Sequence, residues 1–154
     1  MRTKMALASL VVLFAGIGLC LAADAQLGTW KLNESRSKLN PEAGKNLTVV
    51  YAPASDGIKV TVDGVDKDGK PTHNEWTGKF NGTDYPVTGD PTSDMRSYKR
   101  IDAHTLMLTI KKGGKVTSSG RVVVSHDGKS RTVSLTGTDS SGKKVRSTAV
   151  YDKG

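Results

Sequence analysis

The side chains able to do chemistry in this sequence are few and scattered. Three histidines, His73, His104 and His126, stand far apart, and none forms an H-x-H or H-x-x-x-H pair that would set two imidazoles on one ion. Each is expected at a turn or strand end, so no metal is predicted. The segment DGVDKDGK, Asp63 to Lys70, gathers aspartates around a glycine, but the alternating ligand register of a calcium loop fails, because the position before Asp66 falls on Gly64. An aspartate-rich turn is the expected structure. There is no G-x-S-x-G nucleophile motif, and the one cysteine, Cys20, lies in the N-terminal apolar run. His126-Asp127 falls in a predicted hairpin turn, where exposed polar side chains are the rule. Glu75 beside Trp76 has the makings of a sugar-binding acid, yet strand neighbours point to opposite faces. The sequence is read as a non-enzyme without a cofactor. The residues best suited to hold a small molecule are Trp76, Tyr98 and Arg100, with Phe80 in the same parity as Trp76 and Arg100 available to an acidic group. Plain core filling accounts for Trp76 and Phe80 equally well.

Those residues must be positioned by strands. Leu47, Val49 and Tyr51 alternate with Thr48 and Val50, Ile58, Val60 and Val62 with Lys59 and Thr61, and Leu106, Leu108 and Ile110 with Met107 and Thr109. Val133 and Leu135, and Val145, Ser147, Ala149 and Tyr151, continue the pattern. A period of two marks strands with one face on a core. The segments DKDGK, NGTD, KKGGK, HDGK and DSSGK supply the Asp/Asn-Gly chemistry of tight hairpins. The rhythm predicts about nine strands, at 28–33, 46–53, 57–64, 71–80, 95–101, 105–112, 115–125, 130–137 and 143–152. A short helix after Asn33 is expected to cap one end. Tyr85 to Asp94, with two prolines, is expected to be an irregular loop or bent edge. Consecutive hairpins of this number have an edge problem that closure removes. The predicted fold is therefore all-β: an antiparallel up-and-down meander of eight or nine strands closed into a barrel.

The N-terminus reads differently. Arg2 and Lys4 precede an uncharged apolar run from Met5 to Leu21, and Ala23-Asp24-Ala25 follows. This is the layout of a secretory signal peptide cleaved before Gln26. Residues 1–25 are assigned to it and 26–154 to a single barrel domain, periplasmic or secreted. With Cys20 removed, no disulfide is expected. Leu19 before Cys20 makes a poor lipidation site. The charge is uneven: residues 26–94 carry 8 Lys/Arg against 10 Asp/Glu, and residues 95–154 carry 13 against 4. A basic second half suits solubility or attraction to anionic envelope components. With no helical reading head and no series of stacking aromatics, nucleic acid is not expected as a partner. Nor is an integral membrane protein expected. The chain is read as a monomer.

Gly28-Thr29-Trp30-Lys31-Leu32 then supplies a resemblance. A Gly-x-Trp on the first strand resembles the calycin superfamily, the lipocalins and fatty-acid-binding proteins. GTWKLN, DGIKVTVDG, DYPVTG and VYDK are similar to stretches of a group of small exported bacterial proteins. The resemblance implies that Trp30 plugs the closed end of a barrel, that Gly28 lets chain pack against chain, and that an arginine of the last strand lies over the indole. Fatty-acid-binding proteins clamp a carboxylate with an Arg-x-Tyr on the last strand. Here Ala149 stands two before Tyr151, and Arg146 has the opposite parity, so that clamp does not carry over. The helical lid is also missing, since Ser35 to Lys45 is short and holds Pro41. The reading that follows is a barrel binding a small anionic or polar molecule without catalysis. Its alternative is a solid-core barrel acting on the cell envelope through its basic half, and a hydrolase comes third.

Overall fold

A computed structural model describes residues 24–154. Nearly all of the proposed signal peptide lies outside the described residues. The rest forms ten antiparallel strands: β1 (Gly28–Leu32), β2 (Lys45–Ala54), β3 (Gly57–Val65), β4 (Pro71–Gly78), β5 (Tyr85–Thr88), β6 (Met95–Arg100), β7 (Thr105–Lys112), β8 (Lys115–Val124), β9 (Ser130–Thr138) and β10 (Lys144–Lys153). Each pairs with its sequence neighbour, and β1 also pairs with β10, closing the sheet. The protein is an all-β up-and-down barrel.

Nine strands lie where the alternation places them, within two residues at either end. The tenth, β5, falls in the segment expected to be irregular. It has only two register pairs with β4, Glu75↔Thr88 and Trp76↔Val87, and two with β6, Tyr85↔Arg96 and Pro86↔Met95. Four residues that include a proline carry too little periodicity to be read alone, and their neighbours recruit them. The expected helix is a single 3-10 turn, Glu34–Arg36, with the Asn33 side chain accepting from Arg36 N–H. After it, Lys38 bridges Thr148 and continues the pairing of β10 beyond the end of β1.

The aspartate-rich hairpins work through their carboxylates. Asp66 Oδ1 accepts from the N–H groups of Asp68 and Lys70, and Asp139 Oδ1 from those of Ser141 and Lys143. These local bonds replace ladder bonds that the two five-residue loops, 66–70 and 139–143, do not make.

Cross-strand register stacks the inward side chains in layers. One runs Leu32–Tyr151–Arg131–Val124, the next Ala149–Val133–Val122–Leu106, and the last Val145–Gly137–Ser118–Ile110. Tyr151, Arg131 and Val124 are buried, whereas all four residues of the last layer are half-buried. The barrel is thus tightly filled at the end that carries β1's beginning and β10's finish, and looser at the other. Trp30 fills the tight end with no exposed surface, and its Nε1 donates to Gln26 O at 2.9 Å. Gly28 sits at φ 120°, and a Cβ there would meet Lys153 Cε at 2.7 Å. That lysine crosses the indole, its Nζ 4.4 Å from the ring centroid. The last strand therefore places a lysine over the tryptophan, where the resemblance implied an arginine.

Candidate functional site

An aromatic cluster occupies the interior. Trp76 on β4 meets Tyr98 on β6 edge-on at 4.8 Å and Tyr85 on β5 at 5.6 Å. Phe80, just beyond β4, stacks on Trp76 at 6.4 Å and lies 5.7 Å from Tyr98. Tyr51 on β2 closes the group, 6.2 Å from Tyr98. Trp76 Nε1 donates to Arg96 O at 3.0 Å. The cluster depends on Gly78, because a Cβ there would lie 2.4 Å from the Tyr85 ring and 2.7 Å from that of Trp76. Two of the residues expected at a binding site, Trp76 and Tyr98, are therefore together and buried.

The third, Arg100, is held elsewhere. Its Nη2 pairs with Asp24, its Nη1 donates to Asp102 O, and its Cζ lies 5.3 Å over the Phe80 ring at the barrel end. The acidic group it faces belongs to the chain itself.

Arg131 on β9 is the residue that the alternation did not single out. It is the ladder partner of Tyr151 on β10, so both point inward. Its Cζ lies 4.6 Å from the Tyr51 ring centroid and 5.4 Å from that of Tyr151, and Nη2 donates to Tyr51 Oη. Tyr51 Oη is 3.5 Å from Tyr98 Oη. Only 3 % of Arg131 is exposed. Among the described residues no carboxylate pairs with it, and its Nε and Nη1 have no acceptor. Burial pushes the Tyr51 phenol well above its usual range, with Arg131 pulling the other way and Tyr98 adding to the rise. Burial likewise raises Tyr151 against the pull of Arg131. Both phenols stay neutral at physiological pH. The interior thus holds a guanidinium with no carboxylate partner among the described residues, two of its nitrogens without acceptors, amid neutral hydroxyls.

Arg96, on β6, is buried to a similar degree but is neutralised. Its Nη2 lies 3.0 Å from Asp90 Oδ2. Burial alone would raise the Asp90 carboxyl. Hydrogen bonds from Ser93 and Thr92 and the Arg96 charge outweigh it, and the carboxyl is held below its ordinary range.

The outer face behaves as strand parity requires. Glu75 is half-exposed and pairs with Lys59 at 2.9 Å, while Trp76 beside it is buried. His73 Nδ1 is 2.6 Å from Asp63 Oδ1, and the bond to Asp63 raises its pKa. Arg146 is exposed and Tyr151 buried, on opposite faces. The histidines are not all isolated, however. His104 and His126 lie with ring centroids 5.1 Å apart. The expectation of three separate imidazoles is corrected by the β7–β8 ladder, which brings Thr105 opposite Val123.

Two surface cavities, of about 400 and 310 Å³, lie at opposite ends of the barrel, one beside His104 and His126 and one beneath Leu39–Ala43. Neither touches Arg131. Among the described residues no three His, Cys, Asp or Glu side chains are grouped to hold a metal, and no helix is long and apolar enough to cross a membrane. Comparison with protein-family models and with curated proteins returned no match.

Proposed function

We propose that this barrel is an exported, non-catalytic binder of a small anionic or polar molecule, held inside at Arg131 with Tyr51, Tyr98 and Tyr151 around it and Trp76 behind. The observation that carries the reading is the Arg131 guanidinium, buried without a carboxylate and with two of its nitrogens lacking acceptors. A buried charge left unpaired is costly, and a bound anion offsets that cost. The aromatic filling argues for a compact ligand, of carboxylate or oxyanion size at its charged end, over a long acyl chain. Cleavage before Gln26 would remove Asp24 and leave Arg100 as a second free guanidinium at the barrel end.

The test is titration with acetate, benzoate and inorganic phosphate, followed by tryptophan fluorescence. One of these should bind saturably, and R131Q should weaken it at least tenfold. Equal binding by R131Q would sink the reading. Native mass spectrometry of the protein from its own host would give the ligand's mass and the mature N-terminus.

A second reading is supported by charge alone: residues 95–154 carry 13 Lys/Arg against 4 Asp/Glu, suited to anionic envelope components. Binding of that kind falls steeply with salt. Binding at a buried Arg131 is screened much less.

A further inference from the structure

The loops at the tight end hold a second constellation. β7 begins at Thr105 and β8 ends at Val124, and Val124 N–H donates to His104 O at 2.9 Å. The residues entering one strand and leaving the other are thereby brought together, and these include His104 and His126. Their ring centroids are 5.1 Å apart with the planes at 60°. Two imidazoles bound to one tetrahedral ion at metal–nitrogen distances of about 2.0–2.1 Å have centroids roughly 5 Å apart. The pair already stands at that separation.

Two buried atoms in the same corner lack partners. His104 Nδ1 has no hydrogen bond, and neither does Gln26 Oε1. Gln26 is fixed there, fully buried, with its Nε2 donating to His104 O at 3.2 Å. The two histidines border the cavity of about 400 Å³, together with Asp102, Val123 and Ser125. Asp102 and Asp127 add negative charge without competing for the imidazoles. Asp102 Oδ1 accepts from His104 N–H, and Asp127 Oδ1 from Ser125 Oγ and Lys129 N–H.

We propose that His104 and His126 form a binding site for a divalent transition ion of the zinc or copper kind, with Gln26 Oε1 as a third donor and water completing the shell. Imidazole nitrogen selects ions of this class over magnesium and calcium. A cation bound by His104 Nδ1 would give that unpartnered buried nitrogen its missing contact. The site is separate from the Arg131 cluster, and its fate does not depend on that reading.

The experiment is calorimetric titration of the purified protein, carrying no histidine tag, with Zn²⁺ near neutral pH. It is paired with electron paramagnetic resonance after one equivalent of Cu²⁺. One ion per chain is expected, with nitrogen hyperfine structure from two imidazoles. H104A and H126A should each weaken Zn²⁺ at least tenfold, and H73A, which removes the histidine between Asp63 and Glu75, should leave that ion in place. His126 lies in an exposed turn, so H126A keeps the fold and decides the matter should H104A fail to fold. No saturable binding, unchanged affinity in H126A, or loss confined to H73A would overturn the proposal.

Discussion

Two arginines stand inside one barrel and are treated in opposite ways. Arg96 and Arg131 are 8 % and 3 % exposed. Arg96 has Asp90 at 3.0 Å, itself braced by Ser93 and Thr92. Arg131 has tyrosine faces and one phenol oxygen. Burial is common to both, and what separates them is the internal counter-ion, which Arg96 has in Asp90 and Arg131 lacks among the described residues. Arg96 closes the β5–β6 connection against its own chain with only its Nε buried and lacking an acceptor, whereas Arg131 has no carboxylate and lacks acceptors at both Nε and Nη1.

That contrast can be broken most severely at Asp90. D90A leaves the Arg96 guanidinium buried and unpaired, and chemical denaturation should show a loss of about 3–5 kcal/mol. The matching change at the other arginine should behave differently. R131M removes a charge with no ionic partner, so stability should stay within about 1 kcal/mol of the parent or rise, while anion binding disappears. A large loss of stability in R131M without ligand would place Arg131 in the same class as Arg96.

Acid sharpens the comparison further. The Asp90 carboxyl titrates lower in the folded chain than its ordinary 3.8. Its contribution is therefore fully present above that value and lost as pH falls through the depressed folded value. The acid limb of the parent's stability curve should carry this slope, and D90N should flatten it. Equal slopes in parent and D90N would mean that the pair is not formed in solution.

The smallest effect belongs to a cation outside both groups. K153A removes the ammonium over Trp30 and should cost about 0.5–1 kcal/mol, the range of an exposed cation–π contact. K153R should retain most of it, since either cation can lie over the indole.

The sequence by itself determined the strands, the hairpins and the direction of most side chains. Alternation of apolar and polar residues sets two faces whatever the partner strand, and Asp-Gly turns act within a few residues. From Ile58–Val62, Leu106–Ile110 and Tyr151 the barrel wall was readable, as was an inward Trp76, whereas the burial of Trp30 was expected only from the resemblance carried by GTWKL. Closure followed from the need to satisfy sheet edges. Tertiary structure decided the rest, because register is a relation between segments. Arg131 reads as one more basic residue until β10 sets Tyr151 opposite it, so a search for a clamp along the last strand alone passes it by. Arg100 looked free until Asp24 met it. β5 is too short to announce itself, and β4 and β6 define it. His104 and His126 are distant in sequence and touch only because the ladder joins the start of β7 to the end of β8. Parity tells a side chain which way to point, and only the closed sheet determines what it meets.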